Sequence, residues 1–593
     1  MPIDSLVSPV RSTEHRGNDD LLSAGLGLSG LRGAPVPFAD PSAPTPEELR
    51  RRAIQSNWKG IADLGPLGAY GELYGSVAHV PGREYQAFAK LPHARSPHRV
   101  LLQVPDHFDL QARCLVVTAS SGSRGIYGAI AVAAPCALPR GCAVAYTDKG
   151  AGTGYFDVAS ATGTTLEGPR ASAGSAALEF DLDAYTSKNY APLIAVKHAH
   201  SGDNPEGDWG RHVLQAAQFG LAMLDRAFPQ SAPFTPQNTR IIALGLSNGG
   251  GAVLQAAGVD DDNILSSVIA LAPNVHTPND DPNSPASDYT LEGALLLPCA
   301  LTGARFAQVP FARVQGNVPP AWAVRGAGLK QHGLIGATES SAQAAEAFER
   351  LRADGWTDAA IETAATSTAF DAWRAIAATY ASAYTRASVG AMPGGYRFTL
   401  HDAAGAPRAA TAVERAAWWS DAGGIPPGAG VFLDEGEAGD STDPTLNGLL
   451  QLRALWSGNN VQATTLRESV RATAARLPRK DLPLWVIHGL GDGLLPISFT
   501  SDPYVAWLRD AGRTPIYWPL AHAQHFDAFL ALPGFGDRYV PLLPYGYAAF
   551  EHMFAHLVHG AALNPGGVPD VTMRGAATVN ATHLGLAQRA SVA

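Results

Sequence analysis

Cysteine is scarce in this chain, with four among 593 residues, too few for a disulfide scaffold. Cys114 and Cys142 lie in apolar, strand-like runs and read as small buried hydrophobes. Cys136 and Cys142 are close enough in sequence to meet across a turn, and Cys299 has no obvious partner. The redox compartment therefore stays open. Positive charge is also short: 43 Lys and Arg stand against 53 Asp and Glu, a formal net charge of −10 spread along the chain. That balance argues against nucleic acid as a partner and favours small neutral substrates. A run of about 18 apolar residues is missing, so no membrane-spanning helix is predicted. The opening MPIDSLVSPVRSTEHRGNDD lacks the basic stretch and apolar core of a signal peptide. A leader already removed would imply a secreted or periplasmic protein, and otherwise a cytoplasmic one; the sequence does not choose. Internal repeats are lacking too, and nothing indicates an oligomeric state.

What is present is a large globular composition, 46% hydrophobic and 16% charged, long enough for at least two folding units. Residues 1–45, rich in Gly, Ser and Pro, read as an N-terminal arm. Strand-like and helix-like segments then alternate. Arg99–Val104, Arg113–Ala119, Cys142–Thr147, Ile241–Leu246 and Ser267–Ala272 are β-rich, while Ile126–Leu138 and Trp209–Phe228 have helical character. This alternation predicts a mostly parallel sheet with helices on both faces. After Pro273 it stops. Residues 276–480 are mainly helix-forming, with Ser341–Arg352, Ala369–Ala387 and Leu446–Arg476 as examples. The sheet pattern resumes at Leu484–His488 and Pro515–Trp518, and a last helix is expected over Tyr547–His559. The predicted organisation is an α/β catalytic domain, residues 46–275 and 481–593, interrupted by a helical lid, residues 276–480.

The segment RIIALGLSNGGG, Arg240–Gly251, carries the chemistry. A β-branched run enters Gly245-Leu246-Ser247-Asn248-Gly249, and a small-residue helical stretch follows. Strand, sharp turn and helix are the setting in which G-x-S-x-G presents a nucleophilic serine above a sheet, as in α/β-hydrolases. With 62 glycines in the chain, the five-residue pattern alone would mean little; without its context it is a tight turn.

A serine hydroxyl needs a histidine to take its proton and a carboxylate to orient that histidine. In α/β-hydrolases acid and histidine follow the serine, on loops after late strands. WVIHGLGDGLLP ends a buried strand and puts Asp492 in a Gly-rich loop, which is the predicted acid; by itself an Asp there would be a turn former. Asp502 is the runner-up, though it reads as the N-cap of a helix beginning near Pro503. In LAHAQHFDAF, His525 is favoured as the base over His522, because it lies farther into the loop. Asn248, after the serine, and Ser121 or Gly122, in the loop of CLVVTASSGSRG, are the predicted backbone donors to the oxyanion. The bland reading of that second loop is an ordinary strand-to-helix turn.

Other motifs are weaker. YTDKGAGTGYFD has neither the G-x-G-x-x-G spacing nor a GK[ST], and reads as a loop at the edge of the site rather than a nucleotide loop. His198, His200, Asp203 and Asp208 in KHAHSGDNPEGDWG lack a completed metal-ligand spacing and read as hydrogen-bonding residues. DDPNSPASD, Asp280–Asp288, lacks the EF-hand register and reads as a solvated loop. No cofactor and no metal is predicted.

Together GSRGIYGAIA, CAVAYTDKGAGTG, KHAHSGDNPEGDWG, GLSNGGG, VIHGLGDGLLP and AQHFDAF resemble the D-(−)-3-hydroxybutyrate oligomer hydrolases. The resemblance runs from about residue 17 to about residue 560, starting with DDLLSAGLGLSGL. It implies a serine esterase acting on short, neutral 3-hydroxybutyrate ester oligomers, downstream of polyhydroxybutyrate depolymerases. It carries the nucleophile, acid and base onto Ser247, Asp492 and His525. The chain is shorter than typical members around the lid and C-terminus, and lacks the leader of exported members. Three other readings stand beside it. A tannase- or feruloyl-esterase-like enzyme shares the inserted-lid plan, but that group has a cysteine where Leu246 precedes the serine here. A serine peptidase would bring a gating domain, and a silent binding protein would have lost one of the three residues.

Overall fold

The computed structural model describes residues 5–182, 190, 192–278, 289–421, 430–435, 442–564 and 566–586. At its centre lie nine strands: β1 (Arg11–His15), β2 (Gly82–Ala89), β3 (His98–Pro105), β4 (Cys114–Ala119), β5 (Ala143–Thr147), β6 (Arg240–Leu246), β7 (Ser267–Leu271), β8 (Leu484–Gly489) and β9 (Ile516–Leu520). They form one sheet in the order β1-β2-β3-β5-β4-β6-β7-β8-β9. The six strands from β5 to β9 run parallel, and β1, β2 and β3 add an antiparallel edge.

The parallel strands are apolar throughout because both faces are covered, and the period of two divides their side chains between two cores. Val116, Val144, Ile242, Leu244, Ile269 and Ile487 face one side. There they pack under helices α1 (Pro46–Ile61), α2 (Ile130–Ala137) and a C-terminal helix, Leu543–His559. Leu115, Val117, Ile241, Ala243, Val268 and Val486 face the other. That side is covered by α3 (Pro205–Ala227), α4 (Asn248–Gly258) and the helix Ser501–Asp510.

The N-terminal stretch departs from the expected arm. Arg11–His15 is a full edge strand, paired antiparallel with β2, and Leu21 and Leu22 are completely buried. Buried charges hold it in place. Arg50 of α1 donates to Glu84 of β2 and to Asp19, and His15 Nδ1 is 2.7 Å from an Asp19 oxygen.

The cysteines also differ from expectation. Cys114 and Cys142 are both buried, but they are bonded to each other as a disulfide with a Cα separation of 4.7 Å. The register Leu115↔Ala143 makes them direct neighbours at the amino ends of β4 and β5. Cys142 is therefore not available to Cys136, whose thiol instead contacts the Ala133 carbonyl at 3.2 Å.

Residues 276–480 enter between β7 and β8 and build their own core around Leu291, Leu295, Trp356, Trp373 and Leu449. Helices dominate, including α5 (Tyr289–Ala300) and α6 (Ala372–Tyr384), but a small antiparallel sheet, Tyr396–His401, Pro407–Arg408 and Phe432–Glu435, lies among them. The segment predicted as one helix over Leu446–Arg476 is two, Asn447–Ser457 and Val461–Arg471, the second capped by the Asn460 side chain. A further four-stranded sheet, drawn from residues 155–196, was not expected and packs on this block. Among the described residues no helix is long and apolar enough to cross a membrane. The loop Asp280–Asp288 lies outside the described residues.

Candidate active site

Ser247 sits between β6 and α4 with φ 60° and ψ −126°, a strained conformation for a residue with a side chain. Its surroundings hold it there. The Ser247 amide donates to Leu271 O at 2.9 Å, and its carbonyl accepts from Gly251 and Asn274, both at 3.0 Å. The two flanking glycines are required sterically: a Cβ on Gly245 would lie 2.2 Å from the Gly249 carbonyl oxygen, and one on Gly249 would lie 2.3 Å from that of Ala119.

His525 follows β9. Its Nε2 is 2.9 Å from Ser247 Oγ and its Nδ1 2.7 Å from Asp492 Oδ2. Asp492 follows β8, so all three groups meet at the carboxyl ends of the strands, where open α/β sheets place their sites. His522 is only half-buried and stays outside this chain of bonds. Asp502 is not an N-cap: the helix starts at Ser501, with Thr500 at the N-cap position, and the Asp502 carboxylate accepts from Tyr517 OH at 2.5 Å.

The Asp492 carboxylate is fully buried, and each oxygen has two partners. Oδ1 accepts from the amides of Leu494 and Leu495 at 2.8 and 2.7 Å; Oδ2 faces His525 and, at 3.1 Å, His488 Nε2. Burial alone would raise its pKa, but the attraction of His525 and the hydrogen bonds from His488 and His525 outweigh burial and hold it well below the usual carboxylate range. His488 was missed in the sequence. Its Nε2 faces two acceptors, Asp492 Oδ2 and Leu495 O at 3.0 Å, so it carries the proton, and its Nδ1 accepts from Ser501 Oγ at 2.6 Å. By the same logic Asp492 fixes the His525 proton on Nδ1 and leaves the Nε2 lone pair toward the serine. The arrangement can abstract a proton from Ser247 and return it to a leaving group.

A cleft enclosing about 1420 Å³, counting its opening to solvent, lies over Ser247. Ser121, Gly122 and Asn248 all line it. Ser121 Oγ donates to Leu246 O at 2.8 Å and ties that loop to the elbow, and Gly122 takes φ 54°. The amide of Asn248, at the start of α4, has no intrahelical acceptor. The glycine loop of residues 150–154 backs this wall: a Cβ on Gly152 would overlap the Ser123 carbonyl oxygen at 1.3 Å.

The inserted block reaches into the cleft. Asn248 Nδ2 donates to the hydroxyl of Tyr380, on α6, at 2.6 Å, and Asn248 Oδ1 accepts from Asn274 at 2.7 Å. Beneath lies a buried ionic group: Lys149 pairs with Glu206, which also holds His198 Nε2 at 2.7 Å, and the Lys149 ammonium lies 5.4 Å from the rings of Trp209 and Tyr380. Tyr380, Lys149 and Glu206 were not foreseen, since no local pattern marks a contact between segments so far apart. The remaining members of KHAHSGDNPEGDWG serve separate partners. His200 accepts from the Val196 amide, Asp203 from the amides of Arg95 and Ser96, and Asp208 pairs with His93 and Arg211.

Among solved structures, the chain is similar to feruloyl esterase B from Aspergillus oryzae (TM-score 0.35, 12% identity, 86% of this chain and 85% of that one). It is also similar to tannin acyl hydrolase from Aspergillus niger (TM-score 0.33, 11% identity, 88% and 89%). Sequence relatives are much nearer. The D-(−)-3-hydroxybutyrate oligomer hydrolase of Paracidovorax citrulli is 36% identical, covering 96% of this chain and 90% of its own length. Its namesake in Cupriavidus metallidurans is 35% identical, covering 96% and 86%. The 3HB-oligomer hydrolase family matches residues 3–593, and the chain, elbow and inserted block included, belongs to that family.

Proposed function

We propose that the protein hydrolyses D-3-hydroxybutyrate oligomers to 3-hydroxybutyrate through an acyl-enzyme on Ser247. The observation that carries this reading is the series of hydrogen bonds from Ser247 Oγ to His525 (2.9 Å) to Asp492 (2.7 Å), within a chain of this family. His525 takes the serine proton as Oγ attacks an ester carbonyl. The oxyanion that forms is held by the amide of Asn248 and that of Ser121 or Gly122. The ester C–O bond breaks, and His525 gives the proton to the departing hydroxyl. Water, activated by the same histidine, then releases the acyl group. Asp492 stays ionised throughout and keeps the imidazole in its working tautomer.

In this reading residues 46–275 and 481–593 are an α/β-hydrolase catalytic domain and residues 276–480 a lid over its serine. Leu291, Ile376, Ala377, Leu452, Val470 and Phe526 line the cleft and offer an apolar wall to a chain with small methyl branches. A block of this size over the serine keeps solid polymer out; faster attack on amorphous polymer film than on trimer would refute that.

The test is release of 3-hydroxybutyrate from its linear trimer by the wild type and by Ser247→Ala. Release that disappears in the variant supports both serine and substrate. A wild type that spares the trimer but cleaves a p-nitrophenyl ester through Ser247 keeps the mechanism and removes the substrate.

A further inference from the structure

Arg124 lies three residues beyond Ser121 on the same loop, and with Gly122, Ser123 and Phe526 it lines the cleft over Ser247. It is only 5% exposed. Of the other arginines buried as deeply, Arg50 has Glu84, Arg99 has Glu179 and Arg325 has Asp443, while Arg574 donates to three backbone carbonyls, those of Gly536, Leu67 and Ala577. Among the described residues no carboxylate pairs with Arg124. Its guanidinium donates from Nη2 to Gly60 O at 3.0 Å, its Nε is buried with no partner, and its central carbon lies 6.0 Å from the ring of Phe526, the neighbour of His525. Burial pulls its pKa down to about 10, with no acid to offset it, so it remains charged at neutral pH. A cation taken from water without a counter-ion is expensive. One carbonyl oxygen does not neutralise it, and a guanidinium is shaped to take a carboxylate with two parallel bonds.

The oligomer meets this need. Its repeating esters are neutral, but one end is a free carboxyl group, ionised at neutral pH and one repeat away from the last ester carbonyl. We propose that Arg124 is a specificity-determining residue that binds the terminal carboxylate of the oligomer and thereby sets the ester next to it at Ser247. This rests on the oligomer-hydrolase reading above. Serine attack then transfers the longer fragment to Oγ. The C–O bond to the terminal unit breaks, its oxygen takes the proton from His525, and it leaves as 3-hydroxybutyrate with its carboxylate still on Arg124. Units are removed from the carboxyl end one at a time, and an interior ester of a long polymer has no carboxylate to present.

The experiment compares kcat/KM for the linear trimer as the free acid and as its terminal carboxamide, in the wild type, Arg124→Met and Arg124→Lys. The wild type is expected to prefer the acid at least tenfold, Arg124→Met to bring the ratio near one, and Arg124→Lys to keep part of it. A role for Arg124 in merely bracing the loop would lower both rates and leave the ratio unchanged. A wild-type ratio near one overturns the proposal, as does an Arg124→Met enzyme that still prefers the acid. Wild-type trimer labelled in its carboxyl-terminal unit gives a readout free of any folding defect: label appears in the first monomer released, and label retained in the dimer overturns the proposal. If neither trimer is cleaved while a serine-reactive phosphonate still labels Ser247, the substrate reading itself has failed, and this inference falls with it.

Discussion

Replacing Asp492 by asparagine tests the whole hydrogen-bonded series at its least forgiving point. The carboxylate accepts four hydrogen bonds, two backbone amides on Oδ1 and two imidazoles on Oδ2. Asparagine is isosteric but keeps one oxygen. If that oxygen faces the Leu494 and Leu495 amides, the new NH2 faces His525 Nδ1. The ring must then accept there and carry its proton on Nε2, toward Ser247, where it can no longer take one. If the oxygen faces the histidines instead, the NH2 opposes two buried amides, each at a cost of about 1–3 kcal/mol. The first arrangement costs less and is inactive. The loss of kcat for such a tautomer error is about 10⁴, or about 5.5 kcal/mol of barrier. Asp492 lies behind the histidine, so KM should change little. Steady-state hydrolysis of the trimer, with the rate of phosphonate labelling of Ser247 alongside, measures the effect. Asp502→Asn, at a carboxylate that accepts from Tyr517, is the control and should stay near wild type. An Asp492→Asn enzyme of unchanged melting temperature that keeps kcat within tenfold would refute the argument, and so would an equal loss in Asp502→Asn.

Three further outcomes follow from contacts elsewhere. Tyr380→Phe removes the partner of Asn248 Nδ2 and should lower kcat/KM roughly five- to tenfold, the worth of about 1 kcal/mol; unchanged kinetics would mean that Asn248 is held without α6. Burial lowers the pKa of His15, but the carboxylates of Glu84 and Asp19 outweigh burial and raise it to about 9. Its folded value therefore exceeds its unfolded value of about 6.5, so its stabilisation, at most about 3 kcal/mol, is complete below pH 6.5 and is lost as pH rises toward 9. Urea unfolding at several pH values should show that slope, and it should flatten in His15→Gln; an equal slope in both would exclude His15 as its source. Cys114→Ala with Cys142→Ala opens a link across 28 residues and should destabilise the fold by about 3–4 kcal/mol in the chain-entropy account, without changing kcat. A melting temperature indifferent to the substitution would contradict this.

The legible parts of the chain were those whose chemistry is local. The elbow showed itself because strand, glycines and small-residue helix are contiguous, and Asp492 and His525 because each closes a strand late in the chain. His488 lies in the same WVIHGLGDGLLP segment, but an inward-pointing histidine on a strand has the look of core until the loop folds back over it. Tyr380 gave no local signal, since its hydroxyl is aimed at a residue 132 positions away. The edge strand RSTEH has no apolar alternation, because it pairs along one side and its burial is slight except at His15. The three-residue strands between residues 155 and 196 are too short for any period to show. The disulfide became readable only with the register of β4 on β5, which depends on parallel pairing rather than on the spacing of cysteines.

The insertion between β7 and β8 has a consequence for how the chain is made. When β7 leaves the ribosome, the sheet can be assembled from β1 to β7, yet its open edge is Ser267–Leu271, wholly buried in the finished protein. The strand that covers it, β8, begins only at Leu484. At about 5–20 residues per second the intervening chain takes tens of seconds to synthesise, and for that time an apolar, unpaired strand is exposed to any other chain able to add to it. The helical block, with its own core, can fold in this interval beside the vacant edge. Truncation after residue 480 should then yield a species that aggregates rather than a stable half-enzyme, and the burden on chaperones should be greatest just before β8 emerges.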